Sequence, residues 1–317
     1  MKKIIRKIAT ALAGFGPAAF GAAMLARRTR FRKGKNQEPP APVDYHDAEH
    51  LILCDESQLD RRILLPETTI NFRDIGGYTG RDGRKLRWRL VFRAEALSDW
   101  DDDAIAALEA IGLRHVIDFR DTGRAGEQRD RLPATADYIN LPVLKGIPVS
   151  ARDIDFDDPD GIDRFFREIY RYQVEHKARD FARVLHLMTD PAAFPLLYHC
   201  TNGKDRTGFM TALILLICGV PEPVILSDYT LSNLTFERAY ESLGTIMATG
   251  FNMAAPEERA KLRDFFGVRP AWLKSQLDFI RGHFGDVDRY LTEQTDLASA
   301  DLAAIRANLL APAGDVV

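Results

Sequence analysis

Residues 195–220, PLLYHCTNGKDRTGFMTALILLICGV, contain the features that decide the fold. Pro195–Tyr198 is a continuous apolar run typical of a buried strand, and Phe209–Val220 is apolar on nearly all sides, as in a central helix. The loop His199–Arg206, called the Cys200 loop below, joins the two and contains Gly203. A strand, a tight loop and a helix N-terminus predict an anion site, because backbone N–H groups and the helix dipole point into the loop.

Cys200 begins the Cys200 loop and Arg206 ends it, with five residues between them. A phosphate in this loop would receive successive N–H donors and a bidentate pair from Arg206. The same positive field stabilises a thiolate, which can attack phosphorus in line and form a phosphocysteine. We expect the Thr207 hydroxyl to reach the sulfur and the His199 ring to order the loop. The predicted phosphate-binding residues are Thr201, Asn202, Gly203, Lys204 and Thr207.

The context of the motif matters more than the spacing, because a bare Cys-x5-Arg is a weak signal. Here a buried strand, a His before the Cys, a loop glycine and a hydroxyl after the Arg accompany it. Cys218 lies inside the apolar helical run and Cys54 in the run LILC, so both are interpreted as packing residues.

The rest of the chain alternates between short apolar, β-branched runs and helical patterns, which predicts an α/β domain with a mostly parallel sheet. The pattern favours one long amphipathic helix over Asp160–Met188 and helices almost to the end after Arg206. The predicted strands are Thr69–Phe72, Leu90–Phe92, His115–Phe119, Tyr138–Val143 and Pro195–His199.

Composition excludes several classes of protein. With 317 residues and 46% hydrophobic content, the chain is too apolar to be disordered. Three cysteines exclude a disulfide scaffold, and the absence of a Cys-x-x-Cys spacing argues against a thiolate zinc site. The 43 basic and 46 acidic residues argue against a nucleic-acid binder.

The near balance of charge hides an asymmetry. Residues 1–37 contain ten basic residues and no acidic one, so the remainder has 33 basic against 46 acidic residues. Between Lys7 and Arg27 lies an uncharged, Ala- and Gly-rich run that fits a signal peptide, a membrane anchor, an interfacial helix or a basic tail. We therefore predict a segment 1–42 and a catalytic domain 43–312. Residues 1–35 suggest membrane-surface association, which predicts a cytoplasmic or membrane-tethered protein, with export left open.

HCTNGKDRTG resembles the phosphate loop of the cysteine-dependent protein-tyrosine phosphatases, and its Lys-Asp-Arg run is like that of atypical bacterial tyrosine and phosphoinositide phosphatases. The resemblance spans about residues 45–310 and implies the phosphatase fold, a mostly parallel sheet flanked by helices, with an extra C-terminal helical region. The further segments that carry it are NFRDIGGY (71–78), LEAIGLRHVIDFRD (108–121), DYTLSN (228–233) and RPAWLKSQLDFIRGHFGDVDRYL (269–291).

The resemblance implies phosphotyrosine proteins as substrates, with phosphoserine, phosphothreonine or phosphoinositides as further ones. It also implies that Asp205 protonates the leaving group, whereas the alternative is an aspartate of the Asp153–Asp163 cluster. Lys204 either attracts a second phosphate or pairs with a carboxylate.

The remaining expectations concern supporting residues. Asp118 is expected to buttress the loop by accepting hydrogen bonds, with Arg206 as one candidate donor, whereas Arg120 faces the site mouth or lies at the surface. Asp74 and its neighbours in NFRDIGGY are interpreted as structural. Thr235–Phe266 forms either a helical lid or extra core.

Neither a metal nor a cofactor is predicted, since the loop supplies the charge that a metal would bring. Two alternatives to an active phosphatase are a phospho-binding module of the same fold and a sulfur transferase. Cys200, Asp205, Arg206 and Thr207 together argue against the binding module, and Arg206-Thr207-Gly208 with NFRDIGGY argues against the sulfur transferase. Nothing in the sequence predicts the oligomeric state.

Overall fold

The computed structural model describes residues 59–65, 69–147, 154–155, 158, 160–234 and 267–312. The basic segment 1–42, Cys54 and the predicted lid at 235–266 lie outside the described residues. Within them the protein has the predicted α/β architecture, a central sheet flanked by helices.

The described residues contain five strands and ten α-helices. The strands are β1 (Arg73–Asp74), β2 (Val91–Ala94), β3 (His115–Asp118), β4 (Asp137–Asn140) and β5 (Leu196–His199). The helices are α1 (Leu59–Arg62), α2 (Asp102–Ile111), α3 (Thr122–Glu127), α4 (Gly161–His176), α5 (Ala178–Leu187), α6 (Asp205–Ile217), α7 (Glu222–Thr230), α8 (Pro270–Phe284), α9 (Val287–Gln294) and α10 (Ser299–Leu309).

The sheet has the order β1-β2-β5-β3-β4, and only the β1–β2 pair is antiparallel. The strand that precedes Cys200 is therefore the central one, with a parallel neighbour on each side. Crevices for ligands form where such parallel strands end, at their carboxyl edge.

Alternation along the strands divides the core between the two faces of the sheet. Leu197 and Val116 face the side where α2 packs, whereas Leu196, Tyr198 and Ile117 face the larger helical side. Helix α6 lies in that larger core, with its residues from Thr207 to Leu215 buried. The prediction of a buried central helix is confirmed.

Helix α2 shows how local sequence sets its ends. The Asp101 side chain accepts a hydrogen bond from the Ala104 N–H and caps the first turn. The negative charges of Asp102 and Asp103 in that turn interact favourably with the helix dipole. Gly112 ends the helix at φ +75°, a left-handed conformation that glycine adopts without strain.

Two predicted elements differ in kind from the structure, and the predicted strand Tyr138–Val143 ends at Asn140. The predicted strand Thr69–Phe72 is not one, because the N–H groups of Ile70 and Asn71 donate to the Glu95 carboxylate, and pairing begins at Arg73. The long helix over Asp160–Met188 is two helices that meet at Lys177, whose ψ of +11° is not helical. No helix among the described residues has the length and apolar character needed to cross a membrane.

Candidate active site

The carboxyl end of β5 holds the residues that the sequence singled out. His199 is level with Ala94 on β2 and with Asp118 on β3. Cys200 follows at once and is buried, and α6 begins at Asp205, five residues later. The sheet thus places Cys200 in front of a helix N-terminus, where unpaired N–H groups and the dipole favour a negative charge.

Polar groups just before β1 and just after β2 bind the carbonyls of the Cys200 loop from behind. The Asn71 side-chain amide donates to the carbonyls of Asn202 and Gly203 at 3.0 and 3.1 Å, and the Ala96 N–H donates to that of Thr201 at 3.1 Å. In a trans peptide the C=O and the next N–H point in opposite directions. The N–H groups that follow these carbonyls therefore point away from the scaffold, as a loop that receives an anion requires.

Gly203 is needed where it stands. Its φ is +67°, and a Cβ on it would lie 2.4 Å from the carbonyl oxygen of Ala94. A side chain would meet rigid backbone in an already unfavourable conformation, so the close approach of the loop to β2 depends on glycine.

The two described cysteines have opposite electrostatic environments. Burial raises the pKa of Cys218 to about 12. Burial also opposes ionisation of Cys200, but the charge of Arg206 and the nearby polar groups of Thr207 outweigh it, so the pKa of Cys200 is lowered. Only Cys200 is thus placed to act as a thiolate.

Arg206 is held by the end of β3, but not in the predicted way. Its Nη1 donates to the carbonyl of Phe119 at 3.0 Å and its Nη2 to the Thr201 hydroxyl at 3.3 Å. The expected bond to Asp118 is wrong, because Arg120 and Tyr138 already donate to that carboxylate.

Arg120 is not at the site mouth or at the surface, so both expectations for it are wrong. It is fully buried, and its Nη2 lies 2.8 Å from Asp118 and 2.6 Å from Asp130. Asp130 also lies 3.2 Å from the His199 Nε2, while the His199 Nδ1 lies 3.1 Å from the Cys200 carbonyl. A buried charge network therefore connects both neighbouring carboxylates to the backbone of Cys200.

This network contains the one group of described residues with the composition of a metal site, Asp118, Asp130 and His199. The Arg120 guanidinium bonds to both carboxylates and so supplies the positive charge that they require. The arrangement fits an ion-pair network.

A second buried network lies on the β2 side and was missed by the sequence analysis. Asp228 on α7 pairs with Arg73 at 3.2 Å and with Arg93 at 2.7 Å, and Arg93 donates to the Gly203 carbonyl at 2.7 Å. Burial opposes the charge of Asp228, but the two arginines outweigh it and hold the pKa of Asp228 well below its usual range. An arginine inside the apolar strand VFRA was the available signal, since such a charge needs a partner.

Asp74, interpreted as structural, is buried and fixes the chain between β1 and β2. Its carboxylate accepts hydrogen bonds from the N–H groups of Gly76 and Arg89, both at 2.7 Å. The turn at Gly76 and the approach to β2 are thereby joined.

Lys204 and Asp205 project from the start of α6. The Lys204 ammonium donates to the Gly267 carbonyl at 2.9 Å and lies 4.8 Å from the centre of the Phe166 ring. It is 3.9 Å from the Asp205 Oδ2, and burial lowers the pKa of Lys204. Asp205 keeps 19% of its side chain exposed and accepts a hydrogen bond of 2.8 Å from the Tyr170 hydroxyl.

Two of the alternative acids have other partners. Asp163 accepts from the Trp272 indole at 2.7 Å, and Asp158 pairs with Arg164. Asp153 and Asp157 lie outside the described residues. Of the described aspartates in question, Asp205 is the one adjacent to Arg206.

Comparison with known proteins agrees with this geometry. A sequence model described as the tyrosine phosphatase family matches residues 65–311. A Cupriavidus necator protein assigned as a tyrosine-protein phosphatase is 30% identical over 79% of this chain and 89% of its own length. The triple specificity protein phosphatase PtpB of Mycobacterium tuberculosis is 28% identical over 76% of this chain and 96% of its own. A tyrosine-protein phosphatase of Nostoc commune is 26% identical over 62% of this chain and 65% of its own length. With a central parallel strand, a Cys-x5-Arg loop and a buried helix in the matched region, the chain belongs to the tyrosine phosphatase family.

Proposed function

We propose that this phosphatase acts through a phosphocysteine on Cys200 and that its substrates are phosphotyrosine proteins. The observation that carries the proposal is the position of Cys200, between the carboxyl end of β5 and the N-terminus of α6, beside Arg206. No comparable setting surrounds Cys218, whose thiol is buried within apolar packing.

In the first step the Cys200 thiolate attacks phosphorus, the S–P bond forms and the P–O bond to the leaving group breaks. Asp205 gives its proton to the departing oxygen. Arg206 and the N–H groups of the loop stabilise the charge on the transferring phosphoryl oxygens.

In the second step water attacks phosphorus, the S–P bond breaks and Asp205 takes the proton of the water. Phosphate leaves and the Cys200 thiolate is restored, with the Thr207 hydroxyl supporting the departing sulfur. Since Arg206 and the helix N-terminus supply the positive charge, we expect activity that is insensitive to chelators.

The experiment compares wild type, Cys200→Ser and Cys218→Ser in the hydrolysis of para-nitrophenyl phosphate. We expect Cys200→Ser to lose activity and to form no acid-stable phosphoenzyme after rapid quenching, and Cys218→Ser to retain turnover. Activity that survives in Cys200→Ser would contradict the mechanism.

The acid assignment needs its own test. Asp205→Asn should reduce turnover strongly on alkyl phosphates and less on esters with good leaving groups, because only poor leaving groups need the proton. An equal loss on both kinds of ester would refute the role of Asp205.

For the substrate we favour phosphotyrosine over phosphoinositides, because the Lys204 ammonium is already bonded to the Gly267 carbonyl inside the protein. The name of the M. tuberculosis relative indicates that a protein similar to this one accepts more than one class. Turnover of phosphotyrosine, phosphoserine and phosphothreonine peptides and of phosphoinositides, compared by kcat/KM, tests this order.

A further inference from the structure

The Asp205 carboxylate is bonded to a tyrosine from a distant part of the chain. Tyr170 on α4 is fully buried, and its hydroxyl donates to the Asp205 Oδ1 at 2.8 Å. Asp205 is the first residue of α6, so its backbone is fixed by the helix while its side chain would otherwise rotate.

A second tyrosine stands behind the first. The hydroxyl of Tyr229 on α7 is hydrogen-bonded to that of Tyr170, and the two rings meet edge to face with centroids 6.3 Å apart. Burial and the nearby Asp205 raise the pKa of both tyrosines well above the usual range, so both hydroxyls keep their protons.

The direction of these hydrogen bonds follows from valence. A tyrosine hydroxyl has one proton, and Tyr170 gives its proton to Asp205 while that carboxylate is ionised. Tyr229 must then donate to Tyr170, which makes a chain of two donors that ends on the Asp205 Oδ1. Each bond in such a chain polarises the next.

Both tyrosines are buried and held by their surroundings. The Tyr170 carbonyl accepts from the Gln276 side chain at 2.9 Å, and Tyr229 lies so near Gly208 that a Cβ there would be 2.9 Å from its ring. The donor to Asp205 thus has a fixed position relative to α6.

We propose that Tyr170 is a positioning residue for Asp205, and that Tyr229 supports it. Tyr170 binds Oδ1 and fixes the carboxyl plane, so that Oδ2 carries the proton toward the leaving oxygen. The inference rests on the proposed role of Asp205 as the acid.

The test compares Tyr170→Phe with Tyr290→Phe on two substrates. Tyr290 is a matched control, because it is also buried and its hydroxyl donates at 2.7 Å, but to the Val174 carbonyl. Tyr170→Phe should reduce kcat on a phosphotyrosine peptide, the proposed substrate, about tenfold or more, the usual effect of a lost charge-assisted hydrogen bond, with little change on para-nitrophenyl phosphate. Tyr229→Phe should show the same pattern more weakly, and Tyr290→Phe should leave the ratio of the two rates unchanged.

A double-mutant cycle separates this inference from the proposed function. In an Asp205→Asn background, Tyr170→Phe should not change the ratio further. If Asp205→Asn alone has no selective effect, the acid assignment fails. If Asp205→Asn has the selective effect but Tyr170→Phe leaves the ratio of the two rates unchanged, as Tyr290→Phe does, only the positioning role is wrong. Should Tyr170→Phe not fold, the comparison of Tyr229→Phe with Tyr290→Phe decides the question.

Discussion

The Arg93 guanidinium donates a hydrogen bond of 2.7 Å to the Gly203 carbonyl, and the same guanidinium is paired with Asp228 at 2.7 Å. One buried arginine therefore connects the Cys200 loop to α7. The loop is held from behind by charge as well as by backbone contacts.

Asp228→Asn should destabilise the protein by about 3–5 kcal/mol, because it leaves Arg73 and Arg93 buried without their counter-charge. Urea unfolding measures this. Glu293→Gln removes the exposed partner of Arg289 and serves as the control, with no measurable change expected. Equal unfolding midpoints for the two variants would show that Asp228 is dispensable.

Gly203→Ala should lower kcat/KM about 100-fold, the cost of displacing reacting groups by about 1 Å, since the new Cβ would meet the Ala94 carbonyl. Gly83→Ala is the matched control. Its φ of +73° is similar, but nothing lies within 4 Å of a Cβ there, so only the conformational cost remains. Comparing aryl phosphate hydrolysis by Gly203→Ala and Gly83→Ala separates the effect of the steric contact with Ala94 from that of backbone strain. Comparable activities of the two variants would argue against the contact.

Alkylation of Cys200 should have its midpoint below pH 9.0, the ordinary thiol pKa, because Arg206 and Thr207 lower the pKa of Cys200. Arg206→Ala should raise the midpoint, because the charge that offsets the effect of burial on the pKa of Cys200 would be gone. Cys218, with a pKa of about 12, should remain unmodified at pH 8 and is the internal control. Peptide mass spectrometry across a pH series reads both sites, and an unchanged midpoint in Arg206→Ala would exclude Arg206 as the cause.

His199 should make stability depend on pH. Burial opposes its charge, but Asp130 and Asp118 outweigh it, and the pKa of His199 is raised above 6.5. A raised folded-state pKa stabilises the protein fully below pH 6.5, and this contribution is lost as pH rises through the folded-state value. Asp130→Asn should flatten this decline in urea unfolding between pH 5.5 and 8.5. If the stability of Asp130→Asn declines with pH as steeply as that of wild type, the pairing of His199 with Asp130 is refuted.

Much of the fold was predictable, because burial on both faces makes β2, β3 and β5 read as apolar runs and makes α6 apolar all round. The break at Lys177 was not, since the amphipathic period continues through it without glycine or proline. The false strand at Thr69–Phe72 has a related cause, as its apolar residues are buried but its N–H groups bind a side chain distant in sequence, that of Glu95.

The loop residues of the candidate site were predictable because they are contiguous. Their supports were not, since they come from separate parts of the chain. Arg93 and Asp228 pair on one side of the loop, and Asp130 pairs with Arg120 and His199 on the other. Sequence could indicate that a buried arginine needs a partner, but not which aspartate supplies it. The prediction for Arg120 was wrong for the same reason, because its sequence neighbours do not reveal its pairing with Asp130.

The register of β5 has a consequence for how the proposed nucleophile is positioned. His199 is level with Ala94 on one side and Asp118 on the other, and successive residues of a strand face opposite sides. A slip of one residue would turn the imidazole away from Asp130 and bring Tyr198 to the strand end. The position of Cys200 therefore depends on the alignment of β5 as much as on the loop. A substitution in the sheet core that shifts this alignment would displace Cys200 without changing any residue of the motif.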